Sequence, residues 1–156
     1  MKRTGAKKVD FVGHSQGGGA LPNAYIKWYG GDKTVRHTIG LVASNHGSTL
    51  YGVGSLIKAA GLNDKWQKMW DYANVTADGQ QTVGSDFVKE LEAGGITEPG
   101  VKYTVITTRY DDVVTPYTHD MIEEPGVNNV IIQDLCKKDF TDHFGMTYDP
   151  VTSVSY

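Results

Sequence analysis

The residues of this chain best suited to chemistry are a serine and the glycines around it. Gly13-His14-Ser15-Gln16-Gly17 follows a short apolar run, Lys8 to Gly13 (KVDFVG), and precedes a segment with helical spacing. A G-x-S-x-G pattern between a strand and a helix is the nucleophile-elbow pattern, in which a sharp turn holds a serine hydroxyl clear of the sheet. On this reading Gly13 and Gly17 remove side chains that would collide across the turn, while Gly18 and Gly19 let the helix lie close to the sheet. The start of that helix aims free N–H groups and a positive dipole end at the same place. The Gln16 N–H is then placed to donate to a developing oxyanion.

A serine hydroxyl is a weak nucleophile until a base takes its proton. In this arrangement the partners follow in the chain order serine, acid, histidine, which sorts the five histidines. His14 lies inside the turn, its ring directed away from the hydroxyl, and is read as structural, though it is also a candidate for substrate contact. His37 falls within a strand run. His46 precedes any suitable acid, and His119 comes too early. His143, in Asp139-Phe140-Thr141-Asp142-His143-Phe144-Gly145, alone follows the last strand run, from where a loop can bring an imidazole over the turn. Asp111 and Asp112 both stand after the run VKYTVITT, where a carboxylate would fix the imidazole tautomer. Position does not separate the two.

The elements that must hold these groups can be read coarsely. Four β-rich runs occur, at Lys8 to Gly13, Val35 to Ala43, Val101 to Thr108 and Val127 to Gln133. Gln16 to Tyr29 reads as a helix with Leu21, Tyr25, Ile26 and Trp28 packing inward, stopped by Gly30 and Gly31. Between the second and third runs lies an insert, residues 47–100. There Leu62 to Tyr72 carries Trp66, Met69 and Trp70 on one helical face, with Asn63 as cap, and Ser85 caps a helix over Asp86 to Ala93. Strands alternating with helices imply an α/β fold with a parallel sheet, whose ligands bind at the carboxyl ends of the strands. The 156 residues form one domain by length.

Composition excludes several classes. A net charge of −3 gives no basic face for nucleic acid. No run approaches the ~20 apolar residues of a membrane span, and no apolar stretch near Met1 reads as a signal peptide. Cys136 is the only cysteine, so no internal disulfide and no cysteine metal site is expected. No metal and no cofactor is expected either. Asn74-Val75-Thr76 matches a glycosylation triplet.

Taken together, VDFVGHSQGG, LVASNHGSTL, ITTRYDDVVTPYT and DFTDHFGMTYDP resemble, in order and spacing, the class 2 lipases, a family of secreted microbial α/β-hydrolases. The resemblance covers nearly the whole chain. It implies hydrolysis of triacylglycerols or other carboxyl esters without a cofactor, and an extracellular location. It maps the nucleophile onto Ser15, the base onto His143, the acid onto Asp111 rather than Asp112, and one oxyanion donor onto the Gln16 N–H.

The chain departs from that family in beginning its elbow at residue 13, where members of the fold have earlier strands, one of whose loops supplies the second oxyanion N–H. The expected architecture is therefore a partial α/β-hydrolase: a parallel sheet of about four strands flanked by helices, without the N-terminal strands. An exposed first strand should recruit another copy, giving a homo-oligomer joined at that edge. Activity should be weak with one oxyanion donor missing. The insert is a candidate lid, and Trp66 and Trp70 are candidates for contact with an acyl chain or a lipid interface. The alternative is a hydrolase remnant, catalytically silent, that serves as an assembly or binding module.

Overall fold

The computed structural model describes residues 1, 3–53, 56, 59–73 and 76–155. Four strands, β1 (Val9–His14), β2 (Val35–Leu41), β3 (Lys102–Thr107) and β4 (Asn128–Ile131), pair in parallel in the order β1-β2-β3-β4. Crossover segments join them: α1 (Ala20–Trp28) after β1, and α2 (Asn63–Tyr72), α3 (Thr76–Gln80) and α4 (Asp86–Glu92) between β2 and β3. Two short helices follow β4, α5 (Ile132–Leu135) and α6 (Pro150–Ser153). This is the expected α/β architecture.

Successive side chains of a strand point to opposite faces. On β3, Tyr103 and Val105 accordingly join one apolar cluster with Ile26, Val35, Ile96 and Ile122. Ile106 joins the other, with Leu41, Val42, Ile132 and Met146. Lys27 ties α1 to the end of α4, its Nζ donating to the carbonyls of Leu91 (2.8 Å) and Ala93 (2.7 Å).

Several expected details shift, each for a local reason. The helix after the elbow does not start at Gln16; Ser15–Gly17 forms a single 3-10 turn, and α1 begins at Ala20. That helix lays its small face on the sheet, burying Ala20, Asn23 and Ala24 with Pro22 and Ile26. Leu21, Tyr25 and Trp28, expected inside, are exposed at 58%, 39% and 36%. β2 stops at Leu41 instead of Ala43 because Val42 turns to φ +43°. β4 is cut short by the turn of helix from Ile132. α2 starts at Asn63 itself, with Leu62 in the cap position. Ser85 does cap α4, accepting from the Val88 N–H at 3.2 Å. The triplet at 74–76 falls mostly outside the described residues.

Glycines let α1 approach the sheet, but not all of those expected. A Cβ on Gly13 would stand 1.9 Å from the Gly17 carbonyl oxygen, and one on Gly18 would stand 2.4 Å from the Gly13 oxygen and 3.0 Å from the Gly40 Cα. A Cβ on Gly17 meets nothing within 4 Å, so that position needs no glycine for space. Gly13→Ala should therefore destabilise the fold by about 3 kcal/mol or more, as backbone rather than a movable side chain must give way. Gly17→Ala should stay within about 0.5 kcal/mol of the wild type. Melting temperatures of the two variants side by side test this, and equal values would contradict the packing described.

Candidate active site

The elbow, the end of β3 and the loop after α5 converge at the carboxyl end of the sheet. Ser15 holds φ +56°, a left-handed conformation that a non-glycine residue adopts only when its surroundings force it. Here the surroundings are specific. The Ser15 carbonyl accepts from the Gly18 N–H (2.9 Å) and the Gly19 N–H (3.1 Å), closing the turn. Among the described residues neither the Ser15 hydroxyl nor the Gln16 N–H is tied up in a hydrogen bond.

His143 is buried, with 1% of its surface exposed, and its Nδ1 lies 2.9 and 3.0 Å from the two carboxylate oxygens of Asp111. Asp111 Oδ1 also accepts the N–H groups of Val113 and Val114, each at 2.8 Å. Those three donors fix the carboxylate and, through it, the imidazole plane. Asp112 is exposed, and of the two neighbouring aspartates it is Asp111 whose carboxylate reaches the His143 ring. His143 also meets the elbow: its carbonyl lies 2.8 Å from the His14 Nε2, and the two rings are 4.7 Å apart between centroids. His14, the residue that precedes Ser15, thus holds the histidine loop against the elbow.

The loop carrying His143 is anchored to the end of β3. The Thr108 hydroxyl donates to the Thr141 carbonyl (2.6 Å) and accepts from the Gln133 amide (2.9 Å), whose oxygen takes the Arg109 N–H (2.9 Å). The other three imidazoles have partners elsewhere: His37 with the Thr104 hydroxyl, His46 with Glu92, His119 with the Gly47 carbonyl. Trp66 and Trp70 pack edge-to-face, centroids 5.4 Å apart. Trp66 donates to Thr82 (3.3 Å), and Trp70 lies against Gly79, so both rings hold the insert together. A cavity of about 500 Å3 in the insert includes none of Ser15, Asp111 or His143 in its lining.

Sequence reasoning passed over a buried polar chain beside this site. The Asn23 amide donates to the Asn45 oxygen (2.8 Å), the Asn45 amide donates to the Asp120 carbonyl, and the Thr107 hydroxyl donates to the Asp120 carboxyl. The Asp120 carboxyl in turn faces that of Asp111. Burial, and after it the Asp111 charge, pushes Asp120 well above the usual carboxylate range, with the Thr107 hydroxyl pulling weakly the other way. The only available signal was position: Asn45 and Asp120 follow strands at their carboxyl ends.

A model of the family Lipase (class 2) matches residues 1–154. The chain belongs to the class 2 lipase family. Among solved structures, lipase B of Aspergillus fumigatus superposes with a TM-score of 0.65 at 22% identity, over 94% of this chain and 35% of that one. The chain therefore spans about a third of the fungal lipase's length, and shares with it the α/β-hydrolase fold. No curated protein matches the chain. Within this class 2 lipase chain no helix, among the described residues, is long and apolar enough to cross a membrane.

The raised Asp120 gives a stability signature. A folded state that keeps a proton which the unfolded chain releases loses stability as pH rises from the ordinary carboxylate range toward the folded pKa. Wild type should accordingly lose up to roughly 1.4 kcal/mol per pH unit relative to Asp120→Asn in that window. Urea unfolding of both proteins between mildly acidic and neutral pH reads the difference, and parallel curves would show Asp120 to be ionised in the fold.

Proposed function

We propose that this chain carries the acyl-transfer machinery of a carboxylic-ester hydrolase of the lipase type, with Ser15 as nucleophile, His143 as base and Asp111 as the orienting acid. The observation that carries the reading is the bond from His143 Nδ1 to a carboxylate held by two further N–H donors. With Nδ1 so engaged, the neutral imidazole places its proton there and presents Nε2 as the acceptor. In the proposed cycle Nε2 takes the Ser15 proton as the hydroxyl oxygen attacks the ester carbonyl. The Gln16 N–H donates to the oxyanion that forms. The imidazolium then protonates the departing alcohol, leaving an acyl-serine, and a water activated by the same Nε2 releases the acid. Family membership supports an ester or acylglycerol as substrate, an extracellular setting and no cofactor.

The free side of β1 supports a second part of the proposal. Phe11, Val12, Leu21, Pro22 and Tyr25 line an open groove of about 310 Å3 beside Gly17. A strand edge with apolar flanks invites another strand, and the proposed occupant is a second copy of the chain. A binding module without catalysis is the alternative favoured by this same groove.

Wild type should hydrolyse p-nitrophenyl butyrate and lose on the order of 1,000-fold or more of that rate in Ser15→Ala. Asp111→Asn should lose roughly 1,000- to 10,000-fold by admitting the wrong imidazole tautomer. Equal rates for wild type and Ser15→Ala, together with no labelling by a fluorophosphonate, would favour the non-catalytic module. Light scattering at micromolar concentration should give a mass above that of one chain; a stable monomer refutes the pairing.

A further inference from the structure

We propose that Asp120 is a positioning residue, a neutral carboxyl that donates a hydrogen bond to the Asp111 carboxylate and so couples the proposed acid to the helix behind the serine. This rests on the reading of Asp111 and His143 as partners of Ser15.

The argument starts from an imbalance. Asp120 has none of its surface exposed. Its Oδ2 accepts the Thr107 hydroxyl, while its Oδ1 is sealed from water and receives no donor among the described residues. An ionised carboxylate with an unserved oxygen in such a place is strongly disfavoured, and the neighbouring charge it faces is the like charge of Asp111. Among the described residues the groups acting on it are Asp111 and Thr107, neither of them a cation.

A proton on the oxygen that Thr107 does not serve removes both difficulties. The group becomes neutral, and the O–H needs an acceptor. Asp111 offers one. Its Oδ1 is supplied by His143, Val113 and Val114, but among the described residues its Oδ2 takes only the His143 Nδ1–H. A hydrogen bond to a charged acceptor is about twice as strong as one between neutral groups. Burial favours the same protonation state, acting on Asp120 more strongly than the Thr107 hydroxyl that opposes it.

The consequence is mechanical. The Asp120 carbonyl is held by the Asn45 amide, and Asn45 by the Asn23 amide on α1, the helix that begins just after the elbow. Asp120 therefore ties the acid to the helix next to the nucleophile through a buried route separate from the His14 contact. Without that donor the Asp111 Oδ1 keeps its two backbone N–H groups, but its Oδ2 is left with the imidazole alone and can pivot about Oδ1, which loosens the hold on the ring.

The test uses Asp120→Asn, which keeps a neutral donor, and Asp120→Ala, which removes it, with Ser15→Ala as control. In the infrared difference spectrum of wild type minus Asp120→Asn at neutral pH, the expected signal is the carbonyl band of a protonated carboxylic acid. Carboxylate bands in its place would overturn the proposal. On p-nitrophenyl butyrate, Asp120→Ala should lose on the order of 10- to 100-fold in kcat with KM unchanged, and Asp120→Asn should recover most of it. The acidic limb of the kcat/KM profile should stay in place in Asp120→Asn. The ionisable group facing Asp120 is Asp111, with His143 beyond it, so a limb moved downward would mean that a negative charge beside the imidazole had been deleted, which also overturns the proposal. Should Asp120→Asn not fold, wild type labelled with 13C at its aspartate carboxyls decides. One carboxyl resonance still protonated at neutral pH supports the assignment, and none refutes it. Equal ester hydrolysis by wild type and Ser15→Ala would fell the reading of Ser15 while the infrared result still judged the hydrogen bond.

Discussion

The whole arrangement turns on the contact of three backbones where no side chain can fit. Gly13 at the end of β1, Gly18 in the elbow and Gly40 in β2 come so close that a single added carbon at Gly13 or Gly18 would overlap a carbonyl oxygen. That proximity forces the chain to reverse within three residues, which is why Ser15 carries a positive φ. It also sets α1 so near the sheet that Ala20, Asn23 and Ala24 lie beneath it at its start, with Ile26 reaching into the core one turn on. A strained serine and a close-lying helix are thus two results of one constraint, each maintained by the other.

Polar side chains take over where the close backbone packing ends. Because α1 hugs the sheet, Asn23 reaches Asn45 at the end of β2, and Asn45 reaches the segment after β3 that bears Asp120. Asp111, His143 and the residues around them come from segments that follow different strands, and they are bonded to one another across those segments. Such networks stabilise only when fully satisfied, since a buried polar atom without a partner is costly in low dielectric. His143, Asp111 and Asp120 are all buried, so they hold their geometry against solvent competition as well as thermal motion.

How much of this was readable in the residues differs from one part to another. The strand–glycine–serine–glycine–helix order and the late histidine were legible because they depend on residue types at fixed offsets. The end of β2 was not: valine disfavours positive φ, so nothing about Val42 announces the turn it makes. Apolar character does not mark the inner face of α1: the close approach puts Ala20, Asn23 and Ala24 with Ile26 inside and turns Leu21 and Tyr25 outward. Gly17 looked sterically required by its motif, yet space is open around it. Asp120 and Asn45 gave no pattern at all, since their importance lies in contacts between segments far apart in sequence.

Strand order in the sheet is the same as order along the chain. Each of β2, β3 and β4 therefore finds a neighbour already synthesised when it leaves the ribosome, at about 5–20 residues per second. The sheet can grow by addition at one edge, without waiting for distant sequence to close a gap. The imidazole arrives last, on a loop beyond β4. Most of the scaffold is thus in place before His143 can reach Asp111 and the elbow.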